Sequence, residues 1–344
     1  MHYEFHNSYK NKNVGLFARH MVMRGYDVEF LVSTIRTAPG FDGGVRVIEF
    51  PARSTFSWRL LAYMARHGRD FEFLWCYPTS TVFHALLLLI CRARGIKVLV
   101  KLDSLWSTRS GWRKFLSDCL RLPLRLAHRV LYESRELGSR LPSWLSDRMF
   151  YYPVMYSPQL QGRCDNIRQV IDAKEQLIIY SGRINRQKNL GGLVSAFLEL
   201  NVPGWKLLII GQVEEADYYQ QEVAPHLGDS ISYRGYLEGE EYFDVLKRAR
   251  LLVIPSISEG QPNVMIEAMY WGLGIVVSRN TNIRDFDEFD LMKTFDPSVR
   301  DDLRAQLQAL VDIYDPEPAV ANHERVTQSF LLESRLDEAL ADKT

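Results

Sequence analysis

Short apolar runs alternate along the chain with longer segments in which apolar residues recur at helical spacing. The short runs predict strands at residues 28–32, 45–50, 73–76, 97–102, 130–134, 177–180, 205–211, 231–236, 251–254 and 273–278. The periodic segments predict helices, among them residues 14–24, 80–94, 135–141 and 323–340. Strands that alternate with helices are typical of α/β proteins with parallel, doubly wound sheets, so we expect this fold class.

One stretch, residues 255–274, joins a predicted loop to a buried helix directly after the apolar strand at residues 251–254. It reads PSISEGQPNVMIEAMYWGLG. Its first residues have turn chemistry, and Gly260 can adopt backbone conformations that other residues resist. Pro262 presets φ for a first helical turn, and the apolar residues after it continue a helix. The pattern therefore predicts a strand, a tight loop and a helix in immediate succession.

Two carboxylates interrupt this apolar stretch, Glu259 in the loop and Glu267 in the helix, with seven residues between them. An ionised carboxylate in a buried helix is costly without a polar partner, so we expect one for Glu267. Its side chain should lean toward the start of the helix, over Asn263, where the first amides favour an anion. Acceptors for hydroxyl groups beside amides for phosphate suit a nucleotide sugar.

The segment E-G-Q-P-N-V-M-I-E-A-M resembles the E-x7-E motif of the retaining glycosyltransferases of family four, which have the two-domain GT-B architecture. The resemblance implies that Glu259 contacts hydroxyls of the transferred sugar and that Glu267 holds the ribose hydroxyls. The alternative is a structural role, in which Glu259 caps the helix and a neighbouring arginine neutralises Glu267.

A second motif follows the strand at residues 177–180. The loop reads SGRINRQKN and resembles the family's G-R-x4-K-N loop. An arginine fork and a lysine charge beyond a strand end can offset the charge of a diphosphate without a metal ion. They would also stabilise the nucleoside diphosphate as it leaves. Arg183 and Lys188 are therefore candidate catalytic residues, the alternative being two solvated loop cations.

The resemblance extends to other contacts with a sugar donor. The strand ending at Gly211 and the turn at Tyr236 resemble segments that receive the nucleotide and its base in relatives. The expected donor-binding residues are Gly182, Arg183, Lys188, Gly211, Tyr236, Glu259, Gly260, Gln261, Pro262, Asn263, Val264 and Glu267. The later loop SRNTNIRDF departs from the family's Gly-rich, Glu-bearing loop, so we assign no donor contact there.

The upstream half departs further from the family. The segment GLFARHMVMRGYDVEFLV resembles the first helix and second strand of the family's N-terminal domain. The opening MHYEFHNSYKNKNVG lacks the usual apolar strand and Gly-rich loop, so Asn13 and Gly15 are candidate acceptor contacts beside the alternative of a solvated turn. Asp103 follows the strand at residues 97–102, where such sheets place their ligand crevice. The resemblance implies an acceptor-orienting group or base at Asp103, and the alternative is a cap before Ser104.

Length and charge fit this division into two halves. A chain of 344 residues suits two α/β domains rather than one core. We expect an acceptor-binding domain at residues 1–160, a donor-binding domain at 161–322 and a terminal helix at 323–344 that packs back on the first domain. Residues 1–150 hold 23 Lys and Arg against 12 Asp and Glu, although the net charge is zero, which suggests that the first half faces something anionic.

Cysteine usage and hydropathy indicate a protein of the cytoplasm. The four cysteines, Cys76, Cys91, Cys119 and Cys164, form no CxxC pair, and no secretory signal is recognised. The longest apolar run is far below the roughly 20 residues of a membrane span. Residues 106–129 are basic and aromatic and could attach to an anionic membrane surface, or could form an ordinary amphipathic helix broken at Pro123. Nucleic acid is not an expected partner, because no binding module accompanies the charge.

These observations predict a retaining hexosyltransferase that moves a sugar from a nucleotide diphosphate-sugar, with UDP-hexose favoured, to a saccharide or lipid-linked acceptor. No metal or other cofactor is expected. One alternative is a metal-dependent transferase that uses the D-x-D of Asp285 and Asp287. Another is a nucleotide-sugar-binding subunit that has lost catalysis, which the atypical opening segment suggests. A sugar-nucleotide epimerase is less favoured because its signatures are not recognised.

Overall fold

The computed structural model describes residues 17–18, 21–32, 44–50, 57–77, 81–102, 121–153, 160, 162–281, 283–299, 301–330 and 332–341. The chain forms two compact units. The first comprises Met1–Pro153 and Glu333–Thr344, and the second comprises Val154–Leu332. The sequence places these boundaries near residues 160 and 323. The later boundary differs because the helix at Pro316–Ser329 packs on helices of the second unit.

The first unit contains two parallel sheets among its described residues. Strands β1 (Glu29–Val32) and β2 (Arg46–Glu49) pair with each other. The second sheet has the order β3-β4-β5-β6, with β3 (Phe73–Cys76), β4 (Lys97–Leu102), β5 (Arg129–Tyr132) and β6 (Met149–Tyr151). The described helices of this unit include α1 (Trp58–His67), α2 (Thr81–Arg94), α3 (Arg135–Arg140) and the last helix, α11 (Leu332–Leu340), and residues 17–18 and 21–23 are also helical.

The second unit is built on one six-stranded parallel sheet of order β12-β11-β10-β7-β8-β9. Its strands are β7 (Leu177–Ser181), β8 (Lys206–Ile210), β9 (Ile231–Tyr233), β10 (Leu251–Ile254), β11 (Gly274–Ser278) and β12 (Met292–Phe295). Its helices are α4 (Ile167–Asp172), α5 (Leu190–Leu200), α6 (Ala216–Glu222), α7 (Gly239–Arg248), α8 (Asn263–Tyr270), α9 (Asp302–Ile313) and α10 (Pro316–Ser329). Short 3-10 helices lie in the first unit at Gly68–Asp70, Leu122–Leu126 and Ser143–Leu145, and in the second unit at Arg186–Lys188, Ala224–His226 and Arg284–Phe286.

Strand β10 shows why this sheet is covered on both faces. All four of its residues are buried. Leu252 and Ile254 join a core with α7 and α8, whereas Leu251 and Val253 join a core with α5 and α9. Side chains alternate across a strand, so a continuous apolar run requires helices above and below it. The expected α/β fold with parallel, doubly wound sheets is confirmed.

The C-terminal segment differs from the single helix predicted at residues 323–340. The structure has two helices, because Phe330 leaves α10 and stacks on Phe286 with ring centroids 5.6 Å apart. Helix α11 then belongs to the first unit. Asp337 on α11 accepts a hydrogen bond from Arg24 over 3.0 Å, and the carbonyl of Leu340 accepts one from Lys97 over 2.9 Å.

Candidate functional site

The candidate site lies at the carboxyl edge of the second unit's sheet. Strand β7 lies between β10 and β8, so the loops that follow these three strands are neighbours at that edge. The amide of Gly182, after β7, donates to the carbonyl of Ile210 over 3.0 Å. The amide of Gly211, after β8, donates to the carbonyl of Gly235 over 2.7 Å. The carboxyl ends of parallel strands are where such sheets bind ligands.

Gly211 shows how tightly two of these loops pack. Its φ is +144°, and an added Cβ would lie 1.7 Å from the carbonyl oxygen of Gly182. Both the backbone conformation and the space therefore require glycine. The hydroxyl of Tyr233 donates to the carbonyl of Gly211 over 2.9 Å, which fixes the turn from the side of β9. Tyr236 follows in the next turn with a side chain that is 55% exposed.

The loop after β7 holds its two cations by local contacts. Asn185 accepts a hydrogen bond from the amide of Lys188 over 3.1 Å and so caps the 3-10 helix at Arg186–Lys188. The hydroxyl of Tyr180 donates to the carbonyl of Arg183 over 2.5 Å. Asn189 then adopts a left-handed conformation, with φ of 52°, before α5 begins. Asparagine tolerates this conformation, so the final residue of the motif makes the turn into the helix.

Arg183 is paired with Glu214, a residue that the sequence analysis did not single out. Its Nη1 donates to both carboxylate oxygens, over 2.9 and 3.2 Å, and Asn185 donates to the same carboxylate over 2.8 Å. Burial raises the pKa of Glu214, but these hydrogen bonds outweigh it, so the pKa lies below its usual value. The side chain of Arg183 remains 58% exposed, so it is accessible to an anion at the sheet edge.

Lys188 and Glu259 form an ion pair between the loops after β7 and β10. Only 12% of the lysine side chain and 19% of the glutamate side chain are exposed. Ser256 donates to Oε2 of Glu259 over 3.1 Å. The side chain of Gln187 donates to the carbonyl of Ser258 over 2.8 Å. The structure therefore brings together the two loops that carry the two sequence motifs.

The loop after β11 supports Glu259 from the other side. A parallel bridge joins Glu259 to Thr281, and the side chain of Asn280 donates to the carbonyl of Ile257 over 2.9 Å. This is the loop that departs from the family pattern. Its described residues thus contribute backbone and amide contacts to the position of Glu259.

Glu267 lies on α8, one helix turn beyond Asn263, and is partly buried. Its polar partner is the hydroxyl of Tyr242 on α7, which donates to Oε2 over 2.9 Å. Burial raises the pKa of Glu267, and the hydrogen bond from Tyr242 lowers it by a smaller amount. The polar partner expected for Glu267 is therefore a tyrosine. The structural alternative required an arginine beside Glu267, and no arginine among the described residues pairs with it.

The remaining donor-binding candidates surround the start of α8. Pro262 lies at the N-cap, with ψ of 128°, so the helix begins one residue later than a proline in the first turn would imply. Asn263 and Val264 are its first two residues, preceded by the loop that contains Gly260. Gln261 is buried and its side chain donates to Asp285 over 3.2 Å. That contact directs the Gln261 amide to a neighbouring loop.

Other sequence candidates lie outside the described residues or make different contacts. Asn13, Gly15 and Asp103 lie outside the described residues, as do residues 106–120 of the basic segment. The described end of that segment contains the 3-10 helix at Leu122–Leu126, in which Pro123 occupies the first turn. Asp285 accepts from Gln261 and Asp287 is exposed. No group of three or more His, Cys, Asp or Glu residues within the described ranges is arranged as a metal site.

Three polar residues of the site were missed by sequence reasoning: Glu214, Ser256 and Tyr242. Glu214 follows β8 in the acidic pair of GQVEEA, a position at the sheet edge that could have singled it out. Ser256 stands within the turn before Glu259 and gave no separate signal. Tyr242 lies beside Phe243 on an amphipathic helix, and that pattern is typical of a core position.

The chain is similar in sequence to known glycosyltransferases. Residues 165–286, about a third of the chain, match the family model described as Glycosyl transferases group 1. The chain is 27% identical over 150 residues to the amylovoran biosynthesis glycosyltransferase AmsD of Erwinia amylovora, which covers 43% of this chain and 42% of that protein. It is 31% identical over 118 residues to an uncharacterized glycosyltransferase of Methanocaldococcus jannaschii, and this match covers 33% of this chain and 30% of that protein. The chain thus matches less than half the length of these curated relatives.

Solved structures resemble nearly the whole chain. Sucrose-phosphate synthase from Thermosynechococcus elongatus matches with a TM-score of 0.68 and 20% identity over 96% of this chain and 91% of that chain. A glycosyltransferase from Rickettsia africae matches with a TM-score of 0.72 and 12% identity over 94% of this chain and 91% of that chain. Anabaena HepE in complex with UDP and glucose matches with a TM-score of 0.63 and 12% identity over 86% of this chain and 84% of that chain.

None of the helices within the described ranges has both the length and the hydrophobicity that a membrane span requires. At the identities above, the structural likeness concerns the fold alone, and the match to the family model lies within the second unit. The chain thus has the fold of the GT-B glycosyltransferases, and its residues 165–286 match the group 1 glycosyltransferases.

Proposed function

We propose that this protein is a retaining glycosyltransferase whose second unit binds a nucleotide diphosphate-sugar at the carboxyl edge of its sheet. UDP-hexose is the proposed donor, and a saccharide or lipid-linked molecule is the proposed acceptor. The name of the Erwinia amylovora relative, an amylovoran biosynthesis glycosyltransferase, supports a role in polysaccharide biosynthesis. The complex of Anabaena HepE with UDP and glucose supports the donor class.

The contact between Lys188 and Glu259 carries this proposal. It joins the loop of the two cations, Arg183 and Lys188, to the loop that leads into α8. Glu267 on α8 is linked to the end of β7, from which the cation loop starts, through the hydroxyls of Tyr242 and Ser181. A nucleotide sugar has a diphosphate that needs cations and hydroxyl groups that need acceptors.

Each charged residue then has a proposed role. Arg183 and Lys188 bind the diphosphate and stabilise the charge that develops on the leaving nucleotide. Glu259 accepts hydrogen bonds from the transferred sugar, and Glu267 accepts them from the ribose. Because these two cations can supply the positive charge, the proposed reaction requires no divalent metal, and the departing phosphate helps to deprotonate the acceptor. Asp103, Asn13 and Gly15 remain the proposed acceptor contacts.

The proposed surroundings of the reaction follow the same reasoning. We propose that the protein works in the cytoplasm and that residues 106–129 attach it peripherally to the cytoplasmic face of a membrane, where lipid-linked acceptors are found. In the described part of that segment, Leu122 and Arg125 are exposed, as such an attachment requires. A vesicle-sedimentation assay with anionic and neutral lipids tests this attachment.

A donor screen tests the proposed function as a whole. Thermal-shift measurements with UDP-, GDP- and ADP-sugars should show a rise in melting temperature with one nucleotide class, UDP-sugars first. The selected donor should then release its nucleotide in the presence of a saccharide acceptor, and EDTA should leave the rate unchanged. If EDTA abolishes turnover and added Mg²⁺ or Mn²⁺ restores it, the metal-dependent alternative is correct. Binding without any release supports the subunit that has lost catalysis.

A further inference from the structure

The hydroxyl of Tyr242 connects two polar groups from different elements of the second unit. It donates a hydrogen bond to Oε2 of Glu267 on α8 over 2.9 Å. It accepts one from the hydroxyl of Ser181, at the end of β7, over 3.3 Å. Tyr242 itself belongs to α7. One phenol therefore joins the sheet edge to the two helices that pack beside it.

Burial determines the direction of these hydrogen bonds. Burial, together with the charge of Glu267, raises the pKa of Tyr242 well above its ordinary value. The phenol therefore keeps its proton and donates a hydrogen bond to the carboxylate. Burial also raises the pKa of Glu267, and the hydrogen bond from Tyr242 opposes this increase. Tyr242 thus favours the ionised form of Glu267, which is the form that accepts hydrogen bonds.

The two carboxylate oxygens of Glu267 have different surroundings. Oε2 accepts the hydrogen bond from the Tyr242 hydroxyl, whereas no donor among the described residues reaches Oε1. Rotation of the carboxylate would break the bond to Tyr242, so the contact fixes the plane in which Oε1 lies. A fixed, ionised oxygen at the sheet edge is suited to accept from a hydroxyl group of a ligand.

Neighbouring charged and titratable groups do not replace Tyr242 in this role. The hydroxyl of Tyr236 lies near Tyr242 and contributes to its raised pKa. Helix α10 also packs on α8, but its His323 contacts the carbonyl of Tyr270. Lys188 pairs with Glu259. Within the described part of the chain, no lysine, arginine or histidine forms an ion pair with Glu267.

We propose that Tyr242 is the positioning residue of Glu267. It holds one carboxylate oxygen so that the other accepts a hydrogen bond from a ribose hydroxyl of the bound nucleotide. Tyr242 touches no substrate in this arrangement and acts through Glu267. The inference rests on the proposed nucleotide site of the second unit and adds a specific contributor to ribose recognition.

The Tyr242→Phe variant tests this role because it removes only the hydroxyl. Calorimetric titration of the full chain with UDP should show an affinity about three- to tenfold lower than that of the wild type, the range expected for one hydrogen bond. Titration with 2′,3′-dideoxy-UDP should show equal affinities for the two proteins, because that ligand lacks the hydroxyls that Glu267 would accept from. In a Glu267→Gln background, the same change at Tyr242 should have little further effect.

Tyr314→Phe is the matched control. The hydroxyl of Tyr314 is also partly buried and donates to a backbone carbonyl, that of Gly272, over 2.6 Å. This variant should lose some stability and bind UDP as the wild type does. It therefore separates a general loss of packing from a loss of ribose recognition.

The outcomes distinguish this inference from the proposed function. If the wild type binds none of UDP, GDP and ADP, both the function and the inference are wrong. If the wild type binds UDP and Tyr242→Phe binds it equally well, only the role of Tyr242 is wrong. The role is also wrong if the variant loses affinity equally for UDP and for its dideoxy form, since the hydroxyl would then act on another part of the nucleotide or on the fold.

Discussion

Lys188 and Glu259 are 71 residues apart in the sequence and form an ion pair at the edge of the second unit's sheet. In the proposed function, Lys188 binds the diphosphate of the donor and Glu259 binds the hydroxyls of its sugar. The donor must therefore replace or share this pair when it binds. The contact keeps both side chains at the sheet edge and satisfies two largely buried charges before a ligand arrives.

Removing one member of the Lys188–Glu259 pair should destabilise the protein more than removing both. Lys188→Met leaves Glu259 largely buried without its cation and should lower the free energy of unfolding by about 1–3 kcal/mol. The double variant Lys188→Met/Glu259→Gln should recover part of this loss. Urea unfolding of the wild type, Lys188→Met, Glu259→Gln and the double variant measures the coupling. Purely additive effects would show that the pair contributes nothing to stability.

Arg183 should be essential for turnover, whereas Arg186 in the same loop should not be. The two residues are matched, because each pairs with a carboxylate of the GQVEEA segment, Arg183 with Glu214 and Arg186 with Glu215. Arg183→Ala should lower kcat/KM at least about 100-fold with little change in melting temperature, since it removes charge stabilisation of the leaving group. Arg186→Ala should remain within about threefold of the wild type.

Steady-state assays of nucleotide release measure both arginine variants. Equal losses for Arg183→Ala and Arg186→Ala would indicate that the loop contributes only general positive charge. Full activity of Arg183→Ala would contradict its proposed contact with the diphosphate.

The raised pKa of Glu267 predicts a pH dependence with opposite signs for binding and stability. The proposed ribose contact needs the carboxylate, so the affinity for UDP should rise as the pH rises through the raised pKa of Glu267. The folded protein holds the Glu267 proton more tightly than the unfolded chain. This contribution to stability is therefore present at low pH and lost as the pH rises through the folded pKa.

Glu267→Gln is the control for both pH effects, because glutamine does not titrate. The titration of the UDP phosphate groups affects both proteins equally, so it cancels in the ratio of their affinities. The ratio of wild-type to variant affinity should increase as the pH rises through the raised pKa of Glu267. Over the same range, the stability of the wild type should fall relative to the variant. A ratio that is independent of pH would show that Glu267 does not bind the nucleotide in its ionised form.

Gly211 should be irreplaceable. Gly211→Ala would place Cβ 1.7 Å from the carbonyl of Gly182 at a positive φ, so the loops after β7 and β8 would have to separate. We expect a large loss of stability together with a loss of nucleotide binding. Gly228→Ala is the matched control, because nothing lies within 4 Å of its added Cβ. Similar melting temperatures for the two variants would contradict the tight packing of these loops.

The fold was largely predictable from local patterns. The apolar run at residues 251–254 can only be buried between two layers, and it forms the fully buried strand β10. The end of the chain was less predictable. The helical periodicity continues through Phe330, but the stacking of Phe330 on Phe286 depends on a distant residue and divides the segment into two helices.

The candidate site was predictable only where a motif identified the residues. Arg183, Lys188, Glu259 and Glu267 stand at motif positions, and the structure brings them to one sheet edge. The side chains that hydrogen-bond to these four residues come from distant parts of the sequence, so tertiary packing determines which they are. Tyr242 lies in a pattern typical of a core helix, and only the packing of α7 beside α8 shows its hydroxyl on Glu267.

The proposed function requires that the loops after β7 and β10 bind a single nucleoside diphosphate. Calorimetric titration of the wild type, Lys188→Ala and Glu267→Ala with UDP tests it most directly. We predict one UDP bound per wild-type chain and affinities at least about tenfold lower for both variants, because one loses a phosphate contact and the other a ribose contact. A wild type that binds none of UDP, GDP and ADP, or variants that bind UDP as tightly as the wild type, would contradict it.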